Sequence, residues 1–258
     1  MTSIISSVIG AGLFNHRIRS ACKLLAIAAT LAVFYGCEGG VSGGEQTMVD
    51  LSIELTGATL RVNNISGSDF ADGINQPYQT LQHALNQLRP GDVLVIDDTD
   101  QPYSTNAIVD QERNALGELV RTLRGFKLST SGTQNAPIVI EGRGMSRPEI
   151  NQMQSSSAPA NTSMPADATV GLLLDCVSHV VVRNLEIHSV NEAGITTATD
   201  GACQTTNIVI EGNHIHHIYG EKYVGGIRMM GVSDVIIRGN HIHEVFSNAS
   251  PEAKPLIK

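Results

Sequence analysis

A chain of 258 residues with 41% hydrophobic side chains and a mean hydropathy near zero is long enough to bury a core, which excludes disorder for most of its length. Its 17 Lys and Arg stand against 25 Asp and Glu, a formal net charge of −8, so nucleic acid is excluded as a favoured partner and an acidic substrate would need a bound cation or a local basic cluster. Aromatic residues make up only 4%, with no Trp, while Gly, Ile and Val are plentiful, which suits a narrow interior of stacked strands.

In chain order, His16, Arg17, Arg19 and Lys23 precede an apolar run over 24–35, and Gly36 then meets Cys37. Charge, apolar run and small residue stand in secretory order, and the run is too short to cross a bilayer comfortably. Phe34-Tyr35-Gly36-Cys37 resembles the lipobox of bacterial lipoproteins at Gly and Cys and departs from it at the two earlier positions. That resemblance implies removal of 1–36, lipidation of Cys37 and, with Glu38 next, passage to the outer membrane. Ordinary signal cleavage or an uncleaved N-terminal anchor is the alternative. Residues 37–50 form a Gly-rich tether, and 51–258 are expected to be one domain. Loss of 1–36 removes three basic and no acidic groups, leaving 14 against 25 and a net charge of −11.

Residues 51–62 alternate well enough for one or two strands, and 64–77, rich in Gly, Asp, Ser and Asn, read as a loop. Over 80–88, Leu81, Ala84, Leu85 and Leu88 fall at i, i+3, i+4 and i+7 before Pro90-Gly91, which predicts a short amphipathic helix placed to cover the open end of a stack. Residues 92–96 are a strand. In 101–131, Ala115, Leu116, Leu119, Val120 and Leu123 stand in partly helical order, an excursion from the first coils. Strand patterns return at 137–142 and 148–150, ahead of a Ser/Ala/Pro loop over 154–168.

Three stretches then superimpose: 180–188 (VVVRNLEIH), 208–216 (IVIEGNHIH) and 235–243 (VIIRGNHIH), at offsets of 28 and 27 residues. A period of that length with β-branched alternation predicts stacked strand coils. Each coil begins at a glycine, Gly171, Gly194 or Gly226, and the middle coil carries an insertion of five residues around 200–204. Parity turns Val180/Val182, Ile208/Ile210 and Val235/Ile237 inward. Ile187, Ile215 and Ile242 also turn inward but at opposite parity, which requires a corner at Gly212-Asn213 and Gly239-Asn240, with the two Asn stacked as an amide ladder. Cys176 and Cys203 fall near one another on neighbouring coils, so a disulfide is within reach, and two stacked interior thiols are the alternative.

The chain here resembles the right-handed parallel β-helix proteins of the pectate-lyase-like group, closest to bacterial polysaccharide lyases that open with a loop, a capping helix and a Pro-Gly-Asp strand. The matching residues are Gly67-Ser-Asp69, Pro77-Tyr-Gln-Thr-Leu-Gln82, Pro90-Gly-Asp92, Ser131-Gly-Thr133, Ala136-Pro-Ile-Val-Ile140 and Asn184-Leu-Glu-Ile187, spread over most of 64–246. The resemblance implies an all-β solenoid with a short N-terminal capping helix. It also implies a monomeric, secreted or surface-anchored lyase acting on acidic polysaccharide, which cleaves uronate-containing glycans by calcium-assisted β-elimination. In that reaction a base removes the proton beside the uronate carboxylate, whose charge must be neutralised, and the leaving oxygen departs.

In this group the groove runs along the strand that starts each coil. By parity Leu173, Asp175, Thr196, Ala198, Arg228 and Met230 face it, with Glu192, Asp200, Glu221, Lys222 and Tyr223 in the adjoining loops. Lys222 and Arg228 are the candidate base and substrate clamp, and Asp175, Asp200 and Glu221 the candidate calcium ligands; the plain alternative is that each is a solvated loop charge. Glu186, His214 and His241 form one outward row, and His188, His216 and His243 the next. Imidazoles at strand spacing could hold zinc or act as acid and base, but the pattern fits outward polar residues stacked on a face away from the groove, and that is the expectation. The carboxylate-rich motif that holds calcium beside a catalytic Lys in those families is not found, and Asp97-Asp-Thr-Asp100 replaces the Gly-rich end of the first strand. A non-catalytic glycan-binding or adhesion β-helix is therefore an alternative, as is a glycoside hydrolase or uronate epimerase on the same scaffold. The sequence stops at Lys258 just after a complete repeat, so further coils are expected beyond it.

Overall fold

The computed structural model of the chain describes residues 57–152, 166–197, 204–220 and 223–247, all within one unit that begins at Asp50. Strand β1 (Thr59–Val62) leads to helix α1 (Leu81–Gln87), strand β2 (Val93–Asp97) and an antiparallel hairpin of β3 (Ile108–Arg113) and β4 (Leu119–Leu128). Then follow β5 (Ile138–Arg143), β6 (Glu149–Asn151), β7 (Ala166–Leu174), β8 (Ser178–Arg183), β9 (Glu186–Val190) and β10 (Ala193–Thr197). The last six are β11 (Thr205–Glu211), β12 (His214–Gly220), β13 (Gly225–Arg228), β14 (Val232–Arg238), β15 (His241–Ile242) and β16 (Val245–Ser247).

Three sheets collect these strands. The first has the order β1-β2-β5-β8-β11-β14, the second β6-β9-β12-β15 with β16 beside β12, and the third β3-β4-β7-β10-β13. From β5 onward the chain therefore visits the three sheets in rotation. Apart from the β3–β4 hairpin, every pairing between these strands is parallel. That rotation is the winding of a β-helix.

The helix forms where its spacing placed it. Thr80 caps it by accepting a hydrogen bond from the His83 backbone N–H, and the Asp69 carboxylate accepts from the Gln79 and Thr80 N–H groups at 2.9 and 2.8 Å. Leu81, Ala84 and Leu85 are buried in the main core beside Leu60, Val62 and Leu94. The Pro90-Gly91-Asp92 turn has a structural reason: buried Asp92 accepts from the N–H of Ala58 and of Arg89, both at 2.8 Å, tying the helix exit to β1.

Residues 101–131 correct the helical reading. Their apolar positions alternate along β4, which gains a parallel ladder with β7, and the turn is closed by Asn114 N–H donating to the Glu118 carbonyl at 2.9 Å. Gly117 sits at φ +80°, which ends any helix there, and leaves Leu116 exposed.

The predicted inward columns are buried: Val180, Val182, Ile187, Ile208, Ile210 and Ile215 share one core with Ile138, Ile140 and Ile150. Each such side chain contributes about 1.5–3 kcal/mol. On β14 the register continues, Val235 opposite Ile208 and Ile237 opposite Ile210, but β14 is the last strand of its sheet among the described residues. Val235 is accordingly half-buried and Ile237 exposed.

The glycines that begin each coil allow a close approach between sheets. A Cβ on Gly171 would lie 2.3 Å from Ile187 Cγ2, on Gly194 2.5 Å from Ile215 Cγ2, and on Gly226 2.5 Å from Ile242 Cγ2. The Asn column forms as expected: Asn213 Nδ2 donates to Asn240 Oδ1 at 3.0 Å and to the Val182 carbonyl at 3.1 Å, while its Oδ1 accepts from Leu185 N–H at 3.0 Å. Left-handed residues recur in three columns, and the sequence reading found the one at the Gly-Asn corner. Beside Asn184, Gly212 and Gly239 stand His179, Asn207 and Asp234, and Ser189, His217 and Glu244, all with φ between +53° and +65°. A charge ladder closes the first sheet, Glu141–Arg183–Glu211–Arg238 with alternating sign and contacts of 2.7, 3.6 and 2.7 Å.

Candidate functional site

The outer face of β4, β7, β10 and β13 is where the groove was expected, and its outward row is Lys127, Leu173, Thr196 and Arg228. Leu173 and Thr196 are buried, and Leu173 packs with Leu123, Ala168, Val170 and Ala193 in a second apolar cluster against Val109 of β3. Most of that stretch is therefore packed rather than open, a correction that follows from the β3–β4 hairpin extending this sheet.

At its β13 edge the face carries charge. Glu192 is 2% exposed in its side chain and lies between Arg121, 11% exposed, and Arg228, 15% exposed. Arg121 Nε donates to Glu192 Oε2 at 2.9 Å, and its Nη2 contacts Oε1; Arg228 Nη2 reaches the same Oε1 at 2.5 Å. Burial alone would lower the Arg121 pKa, but the hydrogen bond and charge of Glu192, with Glu112 and Asp110 behind it, hold it above its ordinary value. Arg228 also donates from Nε to Thr196 Oγ1 at 3.1 Å and from Nη1 to the Tyr223 carbonyl at 3.3 Å. Both guanidiniums lie over the exposed Tyr223 ring, 5.6 and 5.4 Å from its centre. Further along, Asp175 pairs with Lys127 Nζ at 3.2 Å and accepts from Ser129 Oγ at 3.4 Å.

A second cluster lies on the outer face of the second sheet. The two predicted rows hold in register: Glu186, His214 and His241 in one, His188 and His216 in the next, with His243 stacked on His216 at 5.1 Å and 3°. Along each row the rings stack, as expected. Across the rows they converge, because side chains on neighbouring coils reach diagonally toward one another: His214 Nε2 lies 2.8 Å from His243 Nε2, and His216 Nε2 lies 2.9 Å from Glu186 Oε1. Burial first, then the neighbouring imidazoles, hold His214 and His216 below the ordinary 6.5. Burial pushes the Glu186 carboxyl up, but the His216 hydrogen bond and the charges of His214, His216 and His188 outweigh it and hold the group below 4.5.

A family model described as a right handed beta helix region matches residues 149–249. No curated protein sequence matches the chain. Among solved structures it is similar to the GH136 lacto-N-biosidase from Eubacterium ramulus, at 21% identity and a TM-score of 0.53, over 74% of this chain and 35% of that one. It also matches a rhamnogalacturonan lyase at 14% identity and a TM-score of 0.40, over 67% of this chain and 43% of that one. An alginate lyase from a Paenibacillus species matches at 16% identity and a TM-score of 0.35, over 71% and 75%. At 21% identity the likeness to the first of these is one of fold alone. The chain spans about a third of the length of the first of these structures.

Of the residues singled out in the sequence, Arg228, Glu192 and Tyr223 are brought together, and Asp175 stands apart with Lys127. Asp175 belongs to no group of three close Asp, Glu, His or Cys side chains among the described residues. Cys176 is disulfide-bonded. Cys37, Asp200, Cys203, Glu221 and Lys222 lie outside the described residues. Arg121 was missed, since it sits 71 residues before Glu192 on the hairpin whose apolar spacing imitated a helix. Its signal was the alternation of Arg121, Leu123 and Arg124-Gly125 in a stretch ending on a strand-like Phe126-Lys127-Leu128.

Proposed function

We propose that the chain is a glycan-active β-helix that works outside the cytoplasm on uronate-containing polysaccharide, as a lyase. The observation that carries this reading is the Arg121–Glu192–Arg228 cluster beneath the exposed Tyr223 ring, at the edge of the sheet whose strands begin each coil. An exposed aromatic ring offers a stacking surface to a sugar, and a preorganised guanidinium beside it suits the carboxylate of a uronate. In β-elimination that carboxylate must lose its charge before the adjacent proton can leave. Arg228 is assigned to clamp it, since a guanidinium offers N–H donors and no acceptor and so serves as an electrophile, not as a base. Lys222, next to Tyr223 in sequence, is assigned to take the proton.

Of the candidate calcium ligands, Asp175 is engaged by Lys127 and Ser129 while Asp200 and Glu221 lie outside the described residues, and no step is assigned to calcium. A hydrolase would need two carboxyl groups flanking the scissile bond. On this face Glu192 and Asp175 are each tied up in ion pairs, which favours elimination. The Cys176 disulfide supports an oxidising compartment, in keeping with a secreted protein tethered through Cys37.

The test is incubation of the full chain with pectate and with alginate, with and without calcium, while following the ultraviolet absorbance of unsaturated chain ends. Growth of that absorbance is expected, and its loss in Arg228→Gln. New reducing ends without absorbance would mean a hydrolase instead. Retention on the polymer with no cleavage would make this a binding module.

A further inference from the structure

The outer face of β9, β12 and β15 brings imidazole nitrogens and a carboxylate oxygen closer together than a stacked surface requires. Two chains of contacts run from Glu186 to Glu244. In one, Glu186 Oε1 meets His216 Nε2 at 2.9 Å, His216 Nδ1 meets His217 Nδ1, and His217 Nε2 meets Glu244 Oε2 at 2.9 Å. In the other, Glu186 Oε1 faces His214 Nδ1 at 3.6 Å, His214 Nε2 meets His243 Nε2 at 2.8 Å, and His243 Nδ1 faces Glu244 Oε2 at 3.6 Å. The two neutral imidazoles of each chain bring one N–H each, so tautomers that turn their hydrogens away from Glu186 leave a ring-nitrogen lone pair facing that carboxylate.

The two chains share Glu186 Oε1, where one cation can meet a ring nitrogen from each. If His216 turns its Nδ1–H toward His217, its Nε2 presents a lone pair to Glu186. If His214 turns its Nε2–H toward His243, its Nδ1 presents its lone pair to the same oxygen. One ligating atom from each of Glu186, His214 and His216 lies within 4.8 Å of the other two. Ligand atoms on a tetrahedral zinc are roughly 3.3 Å apart, a value that the 2.9 and 3.6 Å separations to Glu186 Oε1 bracket. The three side chains are 25%, 23% and 11% exposed, more enclosed than His217 and Glu244 at the other end.

We propose that Glu186, His214 and His216 bind one divalent transition-metal ion of the class imidazole prefers, with zinc or cobalt as representatives. His217 and His243 then act as the outer shell, each accepting the N–H of a ligand ring. The site lies on a different sheet from the Arg121–Glu192–Arg228 cluster and stands whether or not the lyase reading does.

The full chain, stripped by chelator and dialysed, is titrated with cobalt(II) and then with zinc(II). Cobalt should saturate at one ion per chain with the visible absorption of a low-coordinate site, and zinc should displace it. Glu186→Gln and His214→Gln should each weaken binding by more than the roughly 100-fold that loss of an outer-shell partner costs. His83→Gln, on α1, and His241→Gln should leave it unchanged. Zinc should raise the unfolding temperature of the parent and not of Glu186→Gln, whose fold is checked by circular dichroism. Binding weaker than about 1 mM, parental affinity in Glu186→Gln, or loss of binding in His241→Gln would overturn the proposal.

Discussion

Two outer faces of the same coil treat charge in opposite ways. On the third sheet Glu192 is buried between two guanidiniums and ion-paired to both. On the second sheet Glu186 faces imidazoles, the side chains that exchange protons near neutral pH. The first arrangement is fixed and preorganised; the second is responsive and suits a ligand that competes with protons. The repeat builds the second face, since His214/His241 and His216/His243 occupy equivalent positions on successive coils. The first is built by residues with no counterpart in the repeat, drawn from β4, the β9–β10 turn and β13.

The sharpest way to break this comparison is Glu192→Ala. Removing the carboxylate strands Arg121 and Arg228 in a packed face, and the expected loss is about 3–5 kcal/mol, measured by urea unfolding. A loss below about 1 kcal/mol would show that water already screens the pair and that the face is not fixed.

Next in size is Gly194→Ala, at the start of β10, between the two faces. The added methyl would lie 2.5 Å from Ile215 Cγ2 and 2.7 Å from the Gly226 carbonyl, so about 1–3 kcal/mol should be lost in thermal unfolding. Gly212→Ala has open space around it and would suffer only from its φ of +65°, about 1–2 kcal/mol. A larger effect at Gly212 than at Gly194 would mean that the sheets do not approach as closely as the geometry states.

Much of the scaffold was legible in the sequence because it repeats. Val180, Ile208 and Val235 align by eye and pair in the structure, and Asn213 with Asn240 announced its own ladder. The other two left-handed columns were not legible, since His179, Asn207 and Asp234 share no residue type. These three fall inside β8, β11 and β14, where the ladder passes over one residue of each strand, and no glycine marks them. The Arg121–Glu192 contact was hidden for a different reason. It joins a hairpin to a turn, and no period links the two. The His rows were read correctly along each column, but convergence depends on side chains leaning across columns, which parity cannot show.

Acid should separate the two faces without any mutation. His214 and His216 are held below 6.5 in the folded chain, so the unfolded chain binds more protons there. Their contribution to stability is full above the unfolded value and falls as pH drops through it toward the folded one. Glu186, held below 4.5, loses its own contribution only at still lower pH. The unfolding temperature should therefore fall between about pH 7.5 and about pH 5.5. The fall should flatten in a His214→Gln/His216→Gln double variant and persist in Glu192→Gln. An equal slope in all three would place the titration elsewhere.

The smallest effect on stability is expected from Tyr223→Ala. Its ring is exposed and its two guanidinium contacts, at 5.4 and 5.6 Å, lie at the weak end for such pairs, together about 0.5–1 kcal/mol. Because Glu192 holds both arginines independently, the face should keep its shape, and urea unfolding should barely move. Affinity for a uronate polymer should nevertheless drop by about tenfold if the ring is the stacking surface, since one lost aromatic contact of roughly 1–2 kcal/mol corresponds to that factor. An unchanged affinity in a variant that folds normally would remove Tyr223 from the site and leave the two arginines as a structural clasp.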